Sequence, residues 1–184
     1  PSSAALLTMP ANAAPDFMRG IVPSMNTPFL ADGAVDPASI CRSAEAVVGA
    51  GVAGMLVLAV AGETGSLSVP EKHLVASTFL RQVAGRVPVI MGCSAPQQDQ
   101  RLALAAMARE PGAPAMLCQV PDGLHGPDLV AQMQQLVAVG PPLLMIQDLD
   151  FGGDGLPLTD ILLLREQIPE FRCLKIETAL PGPK

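Results

Sequence analysis

Short apolar runs alternate with longer amphipathic segments along the chain from residue 20 onward. The apolar runs, each predicted to form a strand, cover residues 20–25, 54–59, 88–92, 115–120, 143–147 and 172–176. The segments between them have helical length and cover residues 36–51, 68–85, 97–109, 127–139 and 159–167. Nearly continuous apolar strands that alternate with helices are typical of a parallel sheet buried on both faces. The pattern therefore predicts an α/β fold.

Right-handed crossovers between parallel strands produce either a doubly wound sheet or a barrel, and the pattern alone does not choose between them. The first predicted strand continues into Asn26-Thr27-Pro28-Phe29 and not into a glycine-rich G-x-G-x-x-G turn. Such a turn would cradle the phosphates of a dinucleotide. Its absence argues against a phosphate- or nucleotide-binding doubly wound domain.

Composition and charge narrow the choice of partners and compartment. The 184 residues include no Tyr and no Trp, and the formal net charge is −6. We therefore expect no nucleic-acid partner and no membrane association, because both favour a basic surface, and the longest apolar run is too short to span a bilayer.

The four cysteines form no CxxC pair, which favours free thiols in a cytoplasmic protein. Residues 1–18 are rich in Ser, Ala and Pro, so we expect a flexible tail there, followed by one domain over residues 19–184.

Lys175 is the most informative residue because it lies within the last predicted strand. Side chains alternate along a strand, so Cys173, Lys175 and Glu177 face one way, and Leu174 and Ile176 face the other. If the apolar pair faces the helices, Lys175 points into the barrel or cleft near the carboxyl end of the strand. Burial favours the neutral amine, and a neutral amine can attack a ketone to form a Schiff base. The alternative is an edge lysine whose ammonium group lies in solvent.

Four stretches of the sequence carry a resemblance to a known family. They are residues 20–29 with Asp32-Gly33 and Val35-Asp36, residues 51–54 with Gly62-Glu63 and Ser66-Leu67-Ser68, residues 87–92, and Leu174-Lys175-Ile176-Glu177-Thr178. In this order and spacing they resemble the dihydrodipicolinate synthase / N-acetylneuraminate lyase family of class I aldolase-like enzymes. The resemblance implies a TIM (β/α)8 barrel, of which this chain would hold about six βα units.

The resemblance also implies an activity, a lyase or aldolase in which a 2-oxo acid of the pyruvate type condenses onto Lys175. The imine itself would be the electron sink, so no separate cofactor is expected. No His, Cys or Asp cluster has metal-ligand spacing in the sequence, so no metal is expected either. Backbone N–H groups in the turn before a helix suit the substrate carboxylate. The candidate substrate-binding residues are Ala61, Gly62, Glu63, Thr27 and Gln147. Members of the family are commonly dimers or tetramers, so a homo-oligomer is expected.

Some positions depart from the family pattern. Val60 and Ala61 stand where the family usually has two threonines that hold the substrate carboxylate. Its catalytic tyrosine aligns with Ile146. The usual proton shuttle would then be absent, which argues against lysine biosynthesis as the role of this chain.

Two carboxylates could replace that shuttle. Glu177 shares a strand face with Lys175, and Asp148 follows Ile146 by two residues, so either could act as a general acid/base. The plainer interpretation is that Glu177 pairs with Lys175 and that Asp148 caps the following turn. His125 lies in the loop after the fourth predicted strand, where we expect a solvated turn residue.

A second class of function stays open on these departures, a non-catalytic or regulatory relative that binds a small carboxylic acid. Length bears on the same question, because a complete (β/α)8 barrel typically needs about 250 residues and this chain has 184. An open barrel would expose strand edges. We therefore expect the chain to represent part of a longer protein, truncated at its carboxyl end.

Overall fold

The computed structural model describes residues 19–179, so the tail predicted over residues 1–18 lies outside the described part of the chain. Helices and strands alternate throughout that part. The helices are α1 (Pro37–Gly49), α2 (Val69–Val83), α3 (Gln98–Arg109), α4 (Gly126–Val139) and α5 (Leu158–Gln167). The strands are β1 (Met55–Val57), β2 (Val89–Gly92), β3 (Ala115–Gln119), β4 (Leu144–Asp150) and β5 (Phe171–Thr178).

Local capping chemistry explains where the first two helices begin. The Asp36 side chain accepts from the Ser39 amide at 3.1 Å and so caps α1. Ser68 and Glu71 form the predicted capping box at α2, with the Ser68 amide donating to Glu71 Oε2 at 2.8 Å. Each cap satisfies backbone donors that the first helical turn leaves unpaired. The two caps therefore determine the residues at which α1 and α2 begin.

The strand order decides between the two architectures left open by the sequence. The strands of the five-stranded sheet are all parallel and lie in chain order, β1-β2-β3-β4-β5. A doubly wound sheet reverses its strand order at the crevice that binds the ligand, whereas a barrel wall proceeds without reversal. The chain is therefore a half-barrel of parallel strands with helices on its outer side.

The first predicted strand, residues 20–25, differs from the prediction. Its segment lies beside β1 but forms only an isolated parallel bridge, between Ser24 and Leu56. The Leu56 amide donates to Pro23 O at 2.9 Å, but Pro23 itself has no N–H to donate. Proline at this position limits the ladder, so the described residues contain five strands and one bridged segment where six strands are predicted.

The two faces of the sheet carry separate apolar layers. The larger layer packs against the helices and includes Met91, Met116, Ile146 and Leu174. The smaller layer lines the concave face, and its members are Leu56, Ala59, Ile90, Ala115, Leu117, Leu143 and Met145, with Val22 and Cys173 against them. Most of the core therefore lies between the strands and the helices, and the concave face holds the polar residues described below.

A β-bulge at the start of β5 determines which of its side chains face the concave side. Leu144 pairs with Phe171 and Met145 pairs with Cys173, so Arg172 is an extra residue in β5. After the bulge, Cys173 packs in the concave layer, whereas Leu174 packs toward the helices. Lys175 and Glu177 follow Cys173 in alternation and lie on the concave side.

Candidate active site

Three polar side chains meet on the concave face at the carboxyl ends of β4 and β5; we call Lys175, Glu177 and Gln147 the lysine cluster. Lys175 pairs in register with Gln147 on the neighbouring strand. Its ammonium group forms an ion pair with Glu177 Oε2, and Gln147 Nε2 donates to the same oxygen at 2.7 Å. The side chains of Lys175 and Glu177 are 30% and 37% exposed, and Gln147 is buried. The cluster is thus open to solvent on one side and anchored on the other.

The electrostatics of the cluster favour an ionised Glu177. The hydrogen bond from Lys175 is the largest effect that lowers the pKa of Glu177; the Lys175 charge and the Gln147 hydrogen bond act in the same direction, and partial burial opposes them. Because this pKa is lowered, the stabilisation from the ionised carboxylate is present above the ordinary pKa of a glutamate. It is lost as the pH falls through the lowered value. A carboxylate against an ammonium group is placed to accept its proton.

The predicted substrate-binding loop follows β1 and lies at the opposite edge of the sheet from the lysine cluster. The Thr27 hydroxyl donates to Gly62 O at 2.7 Å, and both residues are buried. A Cβ at Gly62 would lie 3.0 Å from Met25 O, which explains the glycine. Ala61 and Glu63 on either side of it are exposed, and Glu63 has a positive φ of 54°. Thr27 therefore positions this loop by holding its carbonyl group.

Replacing Thr27 with valine is expected to cost about 1–2 kcal/mol, because it leaves the buried Gly62 carbonyl without its donor. The free energy of unfolding from urea titration measures the loss. Thr78→Val is a matched control, since the Thr78 hydroxyl is buried without a hydrogen-bond partner among the described residues. That variant should keep or slightly raise the stability. Equal stabilities for the two variants would contradict a role for Thr27 in holding the loop.

The structure brings some of the predicted site residues together and keeps others apart. Lys175, Glu177 and Gln147 form one cluster on β4 and β5, and Thr27 contacts Gly62 beside β1. The strands β2 and β3 lie between these two groups in the sheet. A ligand that used both groups would have to cross the concave face.

Asp148 lies on the helix side of β4, away from the lysine cluster. It shares a strand face with Ile146, which belongs to the helix-facing layer. Its Oδ1 accepts from the Leu156 amide at 2.8 Å, and a Cβ at Gly155 would lie 2.2 Å from that oxygen. Asp148 therefore organises the loop between β4 and α5, and the structure does not place it beside Lys175.

The residue beside Lys175 on β4 is Gln147, one position after the residue aligned with the family tyrosine. Ile146 is fully buried in the helix-facing layer, so a side chain at that position could not reach Lys175. Gln147 faces the concave side and is in register with Lys175. A group acting on a Lys175 adduct from this strand would have to lie at position 147. Ile146, the position that the family pattern aligns with the tyrosine, therefore does not face Lys175 in this structure.

An interaction between His125 and Asp160, at the carboxyl end of the strands, was not predicted from the sequence. His125 Nδ1 lies 2.8 Å from Asp160 Oδ2, and the Gly126 amide donates to Asp160 Oδ1 at 3.1 Å. The expected solvated turn residue is thus tied to α5, although its side chain is 57% exposed. His125 and Asp148 both line an open cavity of about 440 Å³ between the loops that follow β3 and β4.

Within residues 19–179, no three His, Cys, Asp or Glu side chains form a group that could hold a metal ion. In the same part of the chain, every helix is too short or too polar to cross a membrane. The cysteines at positions 41, 93, 118 and 173 are free thiols.

Comparison with known proteins identifies the family. The model of the dihydrodipicolinate synthetase family matches residues 17–123, which is more than half of the chain. The chain belongs to that family. Membership confirms the resemblance inferred from the sequence motifs. The match ends before β4, so it includes the Thr27–Gly62 contact and not the lysine cluster.

Curated relatives include 4-hydroxy-tetrahydrodipicolinate synthases. The enzyme of Hyphomonas neptunium is 38% identical over 105 residues, which cover 57% of this chain and 36% of that protein. The enzyme of Thermus thermophilus is also 38% identical over 105 residues, covering 57% of this chain and 35% of its own length. The aligned part of this dihydrodipicolinate synthetase family member thus spans about a third of each of these relatives.

Solved structures match a larger part of the chain. Proteus mirabilis N-acetylneuraminate lyase is 25% identical with a TM-score of 0.79, covering 86% of this chain and 55% of that one. N-acetylneuraminate lyase from Mycoplasma synoviae is 22% identical with a TM-score of 0.74, covering 88% and 55%, and shows the fold alone. These matches confirm that the family member described here has the fold of part of a TIM barrel.

Proposed function

We propose that this chain carries the Schiff-base centre of a lyase that acts on a 2-oxo acid of the pyruvate type. The observation that carries the proposal is the position of Lys175, on the concave face at the carboxyl end of β5 and paired with the Glu177 carboxylate. In barrels of this kind, reacting groups lie at the carboxyl ends of the strands. Lys175 is the proposed nucleophile and Glu177 the proposed general acid/base.

The proposed reaction needs no separate cofactor, because the imine is the electron sink. The neutral Lys175 amine attacks the ketone carbon and gives a carbinolamine, which loses water to form the iminium ion. The iminium then accepts the electron pair released when a neighbouring C–C bond breaks, or stabilises the enamine that forms such a bond. The loop at residues 61–63 is proposed to bind the carboxylate through the Ala61 N–H group, because the Gly62 and Glu63 N–H groups donate to Ala59 O and Val60 O. A homo-oligomeric assembly in the cytoplasm is the proposed setting.

A non-catalytic relative that binds a small carboxylic acid is the second candidate. It is favoured by the same ion pair, since a carboxylate in contact with an ammonium group stabilises its charged form. It is also favoured by Val60 and Ala61, which have no hydroxyl groups to hold a substrate. The two candidates differ in whether a ketone ever becomes bonded to Lys175.

Trapping with borohydride separates the two candidates. The chain is incubated with pyruvate and sodium borohydride, and intact mass followed by peptide mapping locates the reduced adduct. We expect one adduct, on Lys175, and none on Lys72; the Lys175→Arg control should form no adduct at position 175. No adduct with any of several 2-oxo acids, or equal labelling of Lys72 and Lys175, would exclude the Schiff-base function and leave the binding relative.

A further inference from the structure

We propose that Gln147 is a positioning residue that serves Glu177 in both of its protonation states while a proton passes through the lysine cluster. The inference rests on the proposed function and goes beyond it, since it assigns a role in imine formation to a buried amide. The role is carried by three observations on Gln147, which are its burial, its register with Lys175 and the unequal use of its two polar atoms.

The hydrogen bonds of the amide fix its orientation. An ionised carboxylate only accepts hydrogen bonds, so Gln147 must present its NH₂ group to Glu177. This contact is 2.7 Å long. The other polar atom, Gln147 Oε1, is buried without a hydrogen-bond partner among the described residues, although Gln147 is only 1% exposed. Buried acceptors are nearly always paired, so this state of the cluster leaves an acceptor in reserve.

Imine formation requires a group that takes a proton and returns it. The Lys175 ammonium first gives a proton to the Glu177 carboxylate, which leaves a neutral amine and a neutral carboxylic acid. The amine attacks the ketone carbon, and a nitrogen proton moves to the former carbonyl oxygen to give a neutral carbinolamine. Glu177 then returns its proton to the carbinolamine hydroxyl, which leaves as water while the nitrogen lone pair forms the C=N bond. The balance is one ammonium and one ketone in, and one iminium and one water out.

During the middle of this sequence Glu177 is protonated and has a hydrogen to donate. A half-turn of the Gln147 amide about its last side-chain bond exchanges its nitrogen and oxygen, so that Oε1 accepts from the new O–H group. The unpaired acceptor of the resting state then has a partner. Lys175 on β5 is the charged group that contacts Glu177. On β4, Gln147 donates to Glu177 and Leu149 is in register with Glu177, and both of these side chains are uncharged. An uncharged amide can therefore hold Glu177 in place through both steps.

The test compares Gln147→Met with Gln119→Met. Methionine keeps the length of the side chain and removes both polar atoms, and Gln119 pairs in register with Gln147 from one strand further away from Glu177. The rate of pyruvate trapping on Lys175 is measured against pH. For Gln147→Met we expect a rate about tenfold lower at neutral pH and an acidic limb about half a unit higher, since the ionised carboxylate loses a donor. Gln119→Met should retain the wild-type profile.

A second variant and a second readout keep the test independent of folding and of turnover. Gln147→Glu places another carboxylate against Glu177, and the pair then shares a proton, so the acidic limb should rise further than in Gln147→Met. Carbon-13 NMR titration of the Glu177 carboxyl group without pyruvate should show the same order of midpoints. Unchanged rates, limbs and midpoints in both Gln147 variants would overturn this inference while leaving the Schiff base intact. Failure of the wild-type chain to trap pyruvate would remove the proposed function and this inference with it.

Discussion

Glu177→Gln is expected to slow the trapping of pyruvate on Lys175 by about a hundredfold, at the lower end of what a general acid/base contributes. Glutamine preserves the length of the side chain and an oxygen that can accept from Gln147 Nε2, but it can neither take a proton from the ammonium nor return one to the leaving hydroxyl. The acidic limb of the pH profile that belongs to Glu177 should also disappear. Quench-flow sampling with borohydride, followed by intact mass, measures the rate.

An opposing effect makes the sign of the change informative. Removing the carboxylate also removes the ion pair that stabilises the charged lysine, and a larger fraction of neutral amine would speed the attack. If Glu177 only held Lys175 in its charged form, Glu177→Gln would trap pyruvate faster than the wild-type chain. A slower rate therefore supports proton transfer by Glu177, and an equal or faster rate contradicts it.

Glu170→Gln is the matched control for this prediction. Glu170 is half-buried and directly precedes β5 at the end opposite the lysine cluster, and its backbone carbonyl accepts from the Leu144 amide at 2.8 Å. The substitution removes the same charge from the chain and leaves that backbone contact in place. We expect the wild-type trapping rate, so a matching loss in both variants would point to net charge and not to the position of Glu177.

The hydrophobic periodicity of the sequence predicts the helices and strands of this fold well, because the buried positions are apolar and recur with the period of each element. Apolar runs between capped helices located every strand from β1 to β5, and the Asp36 and Ser68 caps located two helix starts. The pattern did not predict that residues 20–25 form a single bridge, since apolar content does not report the missing N–H of Pro23. It also could not choose the barrel, because strand order depends on contacts between distant segments.

The candidate site was predicted where alternation along one strand is sufficient. Alternation placed Lys175 and Glu177 on one face. The family resemblance named Thr27 and Gly62 separately as candidate substrate-binding residues, and the structure brings them into contact. Register between strands is a different quantity, and a shift of one residue moves a side chain to the other face. The family motif aligns its tyrosine with Ile146, but the motif alone does not report register, and the structure sets Gln147 opposite Lys175.

Pairs made across the fold lay outside what the sequence could indicate. His125 directly precedes α4, and Asp160 lies in α5, 35 residues further along the chain. Arg101 is buried and donates to Ala95 O at 2.7 Å and to Gln132 Oε1 at 2.7 Å, which holds the loop after β2. No local pattern marks such partners, because each depends on how two βα units pack together.

Gly92→Ala is expected to lower the free energy of unfolding by about 3 kcal/mol or more, in the range of severe overpacking. A Cβ at Gly92 would lie 1.9 Å from Leu58 O and 2.6 Å from Leu58 C, which are backbone atoms. Val57, which precedes Leu58, is in register with Met91 across β1 and β2. Neither strand can therefore move without breaking the hydrogen bonds between β1 and β2. Urea denaturation followed by circular dichroism measures the loss.

The control for this prediction is Gly49→Ala, which should change stability in the opposite direction. Gly49 is the last residue of α1, and a Cβ there would meet no heavy atom within 4 Å. Alanine favours the helix over glycine, so we expect a gain of about 0.5 kcal/mol. A loss of similar size in both variants would mean that glycine content, and not the close approach of β1 and β2, sets the stability.

The Gly92→Ala substitution also links the packing of the sheet to the predicted substrate-binding loop. Leu58 is buried with a positive φ of 57°, and it leads directly into the turn Val60–Gly62. Any movement of Leu58 away from a Gly92→Ala side chain would be transmitted to this turn, where Thr27 holds Gly62. A folded Gly92→Ala chain should therefore bind pyruvate more weakly while still trapping it on Lys175, because β5 lies at the other edge of the sheet. If the concentration dependence of trapping were unchanged in that variant, the loop after β1 would have no part in holding the carboxylate.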